Sequence, residues 1–138
     1  MTFPQTLSHE PRGVPLGRRA EVRLVVGLAR LLARHPPRRI RAVLRRVSRG
    51  ARPARYDEAL AARETVVAVS LACAAPEGCL PRSLATAMLC RLHGRWPVWC
   101  VGARRVAPFA AHAWVEAAGV PVGEDAPADY FRAFFTVP

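Results

Sequence analysis

Lysine is absent from this chain, and all 21 of its basic residues are arginine. Alanine, proline, valine and glycine are abundant at the same time, the usage expected of GC-rich coding, so arginine content alone says little about anion binding. Acids are scarce, 10 against 21, which leaves a net charge of +11. Long apolar runs are missing too. The longest stretch free of charge and proline in the middle of the chain is Thr65–Ala75, far short of the ~20 residues that a spanning helix requires. Met1–Glu10 is polar, with no apolar segment and small-residue cleavage site behind it, so a cytoplasmic protein without a secretory signal is expected. In that setting the 4 cysteines are not expected to form a disulfide framework. They contain no C-x-x-C pair. The one ligand-like spacing, Cys90 with His93, lacks two further ligands for zinc, so neither metal nor cofactor is expected.

What is present fits one domain. A chain of 138 residues buries enough surface to fold without staples, and 51% hydrophobic against 22% charged residues excludes wholesale disorder. The charge is uneven. Residues 1–55 hold 14 arginines against Glu10 and Glu21, a net +12, whereas residues 56–138 hold 7 arginines against 8 acids, a net −1. This divides the chain into a basic helical region over 1–55 and a core over 56–138. Apolar spacings of three and four predict helices over Arg18–Arg34, with Val22, Val25, Val26, Ala29 and Leu32 inward, and over Arg38–Arg49, whose opposite face is nearly solid arginine. Gly50–Arg55 reads as a linker. Asp57 is expected to cap a third helix reaching about Ala75, and a fourth runs from Cys79, with Pro81 in its first turn, to Gly94. The period then changes to two, predicting strands over Val98–Gly102, Phe109–Ala117 and Val120–Glu124, with the aromatic stretch Asp129–Pro138 packed back on the sheet. Helices followed by an antiparallel sheet define an α+β domain.

Cys79 stands apart from the other cysteines. It follows Pro76-Glu77-Gly78 at a helix start, where unpaired N–H groups and the helix dipole favour a thiolate. Cys73, Cys90 and Cys100 lie within apolar segments and read as small buried hydrophobes. On the strand Phe109–Ala117 alternation places His112, Trp114 and Glu116 on one face, so Trp114 is able to shield a Cys79–His112 ion pair from water. The next strand supplies an acid, Glu124 or its neighbour Asp125. A two-residue turn at Ala118-Gly119 would set Asp125 opposite His112 but would force Ala118 to positive φ. A three-residue loop, Ala117-Ala118-Gly119, places only Gly119 there and sets Glu124 opposite His112, and Glu124 is therefore expected. A cysteine at a helix start, a histidine on a strand and an acid beyond it follow the order of papain-like folds.

Cys79-Leu80-Pro81-Arg82-Ser83-Leu84-Ala85, Val101-Gly102, and Phe109-Ala110-Ala111-His112-Ala113-Trp114-Val115-Glu116 with Gly119 resemble the standalone leader peptidase of lasso-peptide biosynthesis. That resemblance implies a papain/transglutaminase-like core and a cysteine peptidase that removes the leader from a ribosomally made precursor peptide. It implies Cys79 as nucleophile, His112 as general base and acid, and the acid a dozen residues after the histidine, the position of Glu124, where the family more often has aspartate. Arg82 and Ser83 match its motif and, with Trp114, are candidate substrate contacts. The implied partners are the precursor peptide, a small leader-binding protein and an ATP-dependent, asparagine-synthetase-like cyclase.

Two other readings remain at this level. The arginine face of residues 38–49, Arg41, Arg45 and Arg46 among them, suits an acidic leader or leader-bound partner, and would suit nucleic acid phosphates in a binding protein, although no reader motif accompanies it. A Cys–His–acid site also serves acyl transfer to an amine, through the same thioester.

Overall fold

In a computed structural model of the protein, the structure describes residues 13–105, 110–124 and 129–138. The first helix, α1 (Leu16–Leu32), buries Val22, Val25, Val26, Ala29 and Leu32 as the three–four spacing requires. It ends ahead of His35-Pro36, since a residue before proline avoids the helical region. Pro37 then opens α2 (Pro37–Val47) from its first turn, a position where its missing N–H costs nothing. Ile40 and Leu44 anchor α2 inward while most of its arginines face out.

The segment expected as a linker is a short strand instead. β1 (Arg52–Pro53) pairs in parallel with β2 (Arg95–Trp96), and the Arg52 and Ala54 N–H groups donate to the Gly94 and Trp96 carbonyls at 3.0 Å each. Helix α3 (Tyr56–Val69) begins two residues earlier than an Asp57 cap would have it, with Arg55 at the cap position. The Arg55 N–H donates to Glu58 Oε1 at 2.9 Å, so Asp57 lies in the first turn, where its charge complements the helix dipole. The helix also stops short of Ala75. Ser70 is extended and its Oγ accepts from the Cys73 N–H at 3.3 Å, which starts a separate turn, α4 (Leu71–Ala74). The run Thr65-Val66-Val67 before it, stiff at χ1, weakens helix continuation, and the serine side chain offers the backbone another partner.

Helix α5 (Cys79–Leu92) is the central element. α1 and α3 pack against it on one side, and the sheet covers the other. The sheet has the order β5-β4-β3-β6, antiparallel throughout, from β3 (Val98–Arg104), β4 (Ala111–Ala117), β5 (Val120–Pro121) and β6 (Phe131–Val137). The C-terminal aromatic stretch thus joins the sheet as a strand beside β3, with a bulge opposite Val101/Gly102, and does not merely pack on its face. This is the expected α+β class. One apolar cluster runs across the described part of residues 1–55 and the core beyond. It unites Val22 and Val25 of α1, Leu44 of α2, Leu84 and Leu89 of α5, and Trp99, Val115 and Val137 of the sheet. Polar atoms inside it are paired: Trp99 Nε1 donates to Ser83 Oγ, and Trp96 Nε1 to the Val137 carbonyl, each at 3.1 Å. No helix among the described residues is long and apolar enough to cross a membrane.

Candidate active site

The site begins at the start of α5. Gly78 is the residue before the helix, and any Cβ there would collide with the Ala72 carbonyl oxygen, so only glycine lets the chain fold back tightly from α4 into α5. Arg82 locks that turn: its guanidinium donates to the Cys73 carbonyl at 2.9 Å and to the Ala75 carbonyl at 3.3 Å. Cys79 is thereby fixed as the first residue of α5, partly exposed, with the positive end of the helix dipole behind its thiol.

The thiol docks on an open sheet edge. The Val122 N–H donates to the Val115 carbonyl at 2.9 Å, so the odd-numbered main-chain groups of β4 point toward β5. That strand ends at Pro121, and the Ala113 main chain, two residues further along the same edge, hydrogen bonds the Cys79 thiol. A sulfur takes the place where a neighbouring strand would have set a carbonyl.

His112, also on β4, joins the thiol to the acid. Its Nε2 lies 2.9 Å from Glu124 Oε1, and the imidazole also hydrogen bonds Cys79, for which Nδ1 remains. Both partners are shielded, their side chains 13% and 3% exposed. The Phe131 ring stacks on the imidazole at 4.3 Å between centroids, and Trp114 stacks at 5.7 Å.

The route by which Glu124 arrives corrects the three-residue loop. Ala117 pairs with Val120 and Glu116 with Pro121, so the turn has two residues, and Ala118 adopts φ 53 beside Gly119 at φ 76. In that register an uninterrupted strand would have carried residue 125 to the level of His112. The strand is interrupted at Gly123, whose φ of 67 turns the chain and delivers Glu124 to the imidazole. Gly123 packs on Arg63, whose side chain a Cβ would strike. Asp125 lies outside the described residues.

Burial works against every charge here, yet the mutual contacts win. Burial would raise the Cys79 pKa, but the hydrogen bonds from His112 and Ala113 and the nearby charges of His112 and Arg82 bring it below its ordinary value. Burial likewise opposes the imidazolium, but hydrogen bonds to Cys79 and Glu124 carry His112 up to about 9. Burial pushes Glu124 up, and His112, Arg63 and Arg82 hold it below the usual carboxylate value. These shifts all favour a thiolate–imidazolium pair with a carboxylate behind it. Such a set can attack a carbonyl and then protonate the departing group.

The expected substrate contacts Arg82, Ser83 and Trp114 are buried, at 3%, 4% and 3% exposure. Arg82 holds the turn before Cys79, Ser83 bonds the Leu80 carbonyl and Trp99, and Trp114 Nε1 donates to Glu116 Oε2 at 2.9 Å. They brace the site from within. Two residues escaped the sequence reading. Phe131 gave a signal only as part of an aromatic stretch, and Arg63, buried on α3, gave none, because a lone arginine in a helix ordinarily faces water. Cys73, Cys90 and Cys100 are buried. His93, near Cys90 in sequence, bonds Glu21 at 2.7 Å instead, and no group of three potential metal ligands occurs among the described residues.

A family model described as the transglutaminase-like superfamily matches residues 22–136. The chain is a member of the transglutaminase-like superfamily. Searches of curated proteins and of solved structures find no match. The match begins within α1 and ends in β6, so the superfamily domain takes in most of the basic helical region together with the sheet. Cys79, His112 and Glu124 in chain order on helix, strand and loop suit the Cys–His–acid peptidases and acyltransferases of such a superfamily.

Proposed function

We propose that this protein is a cysteine peptidase that removes the leader from a lasso-peptide precursor in the cytoplasm. The observation that carries the peptidase reading is the Cys79–His112–Glu124 contact chain at the start of α5. The lasso-specific part rests on the sequence resemblance of the segments around Cys79 and His112. Cys79 thiolate adds to the carbonyl carbon at the leader–core junction, and its own main-chain N–H, at the first position of α5 without an intrahelical partner, stabilises the developing oxyanion. The His112 imidazolium gives its proton to the departing core amine as the C–N bond breaks, leaving the leader as a thioester on Cys79. Neutral His112 then takes a proton from water, the hydroxide displaces the sulfur, and the leader leaves as a free acid. Glu124 keeps the imidazole oriented and its charged form stable. No cofactor enters this sequence. A leader-binding protein would present the precursor, and an ATP-dependent, asparagine-synthetase-like cyclase would close the ring on the released core.

The test is incubation of the protein with precursor peptide, with and without the leader-binding protein, followed by mass spectrometry. Leader with a free carboxyl, lost entirely with Cys79→Ala, supports hydrolysis. Leader joined to an added amine in preference to water would make the protein an acyltransferase. Cleavage undiminished in a folded Cys79→Ala protein would overturn the Cys79 peptidase reading, and no cleavage by the wild-type protein would leave a binding role for the arginine face as the better account.

A further inference from the structure

An open cleft of about 650 Å³ lies at the end of the sheet and is lined, among the described residues, by Ala103, Arg104, Arg105, Arg132 and Phe134. Three of the 7 arginines in residues 56–138 therefore converge on one concavity, in the half of the chain that carries no excess of positive charge. None of the three is in an ion pair among the described residues. Phe134, 66% exposed, adds an apolar wall to it. Like charges gathered without an ion-pair partner among the described residues repel, so the arrangement favours an anion between them.

Its place in the fold ties the cleft to the thiol. Gly102 pairs with His112 and Ala103 with Ala111, so the cleft opens one strand position beyond His112. Arg104 pairs with Phe131, whose ring stacks on the His112 imidazole. An extended peptide advances roughly 3.3 Å per residue, so a chain laid along the sheet past His112 would meet Arg104 within a few residues.

We infer that this cleft is a substrate subsite that takes acidic side chains of the peptide, close to the bond being cleaved. The inference rests on the peptidase reading for its substrate, but the binding it describes requires no turnover. The arginines lie beyond the Cys79–His112–Glu124 set, so they govern which peptide is held and leave the chemistry untouched. Their effect belongs in KM.

The experiment uses the full chain carrying Cys79→Ala and a matched pair of fluorescein-labelled synthetic peptides, one with glutamates where the other has glutamines. Fluorescence anisotropy at low salt is expected to show the glutamate peptide bound about tenfold more tightly, a preference that fades as salt screens the charges. Adding Arg104→Gln and Arg132→Gln should erase the preference. Adding Arg23→Gln and Arg34→Gln, which remove the same charge from exposed positions on α1 and in the turn after it, should keep it. Equal loss in the two double variants would overturn the subsite, because net charge alone would then explain binding. Displacement of the peptide by an oligonucleotide, dependent on Arg104 and Arg132, would overturn it in favour of a nucleic acid site. The peptidase reading stands or falls separately, on cleavage of the same peptides by protein that retains Cys79. A preference without cleavage supports the subsite and removes the peptidase, and cleavage without an arginine-dependent preference does the reverse.

Discussion

Four thiols share this chain, and burial acts on all of them in one direction, against the thiolate. For Cys90 it wins, raising the pKa to about 11. For Cys100 burial and the neighbouring Glu116 carboxylate together raise it to about 12. Only at Cys79 do His112 and Ala113 overturn burial. Iodoacetamide at neutral pH should therefore label Cys79 ahead of the others, with a rate midpoint below the usual ~8.5 of a free thiol. His112→Ala should move that midpoint upward, because burial is then opposed only by the Ala113 hydrogen bond and the Arg82 charge; a midpoint unchanged by it would disprove the ion pair. The His112–Glu124 contact has its own pH signature. Glu124 is lowered from 4.5, so its contribution to stability is present above that value and lost as pH falls below it. His112 is raised from 6.5 to about 9, so its contribution is complete below 6.5 and lost as pH rises through about 9. The stability gap between wild type and Glu124→Gln, from urea midpoints, should accordingly be widest between pH 4.5 and 6.5 and close on either side. Turnover of Glu124→Gln should fall strongly without vanishing, since nucleophile and base remain in place.

At the scale of elements, the β4–β5 turn holds a residue in a conformation its type disfavours. Ala118 at φ 53 sits where a Cβ costs about 1–2 kcal/mol. Ala118→Asn would create the Asn-Gly pair that such turns prefer, and should raise the unfolding free energy by about 1 kcal/mol; an unchanged or lower urea midpoint would contradict the turn. Gly123→Ala is the opposite case. It strains φ and strikes Arg63, so it should lower turnover through the position of Glu124 without altering the three interacting side chains. These two sites show where sequence reasoning reached its limit. The helices announced themselves because Val22, Val25, Val26 and Ala29, or Ile40 and Leu44, repeat at the spacing that burial demands. Cys79 was legible because a glycine-containing turn and a helix start coincide in the chain. The hairpin was not, because steric preference argued against a positive φ at Ala118, and the sheet register outweighed that local penalty. Glu124 meets His112 by a bend at Gly123 that alternation does not encode. Ser70 broke a helix whose apolar pattern ran on without a seam, and Arg63 went unseen because its burial depends on a partner distant in sequence.

For the whole molecule, the contrast between a basic first part and a neutral remainder does not divide the described core. Val22 and Leu44 are wholly buried in the same cluster as Leu84 and Trp99, and Arg91 of α5 donates to the Val47 carbonyl just past the α2 interior at 2.7 Å. Leu44→Ala should cost about 3 kcal/mol and lower the melting temperature of the entire protein. All 3 tryptophans lie at positions 96, 99 and 114, so their fluorescence reports the sheet side, whereas far-UV circular dichroism is dominated by the helices. The two signals should change together on heating. A helical signal melting by itself would mean that the basic region folds as its own unit.

The open edge of β4 also bears on time. Until the hairpin and the start of α5 come together, the Ala113 main chain and the Cys79 sulfur are strangers, and every thiol in the chain is an ordinary one. α1 reaches α5 across a long span of sequence, as β3 does β6, and such distant pairings form slowly. During refolding three cysteines should fall silent to a pulse of alkylating reagent while the fourth grows more reactive than it was in the unfolded chain. Reactivity at Cys79 is thus acquired, and the moment of its rise marks when a sheet edge first accepts a sulfur as its neighbour.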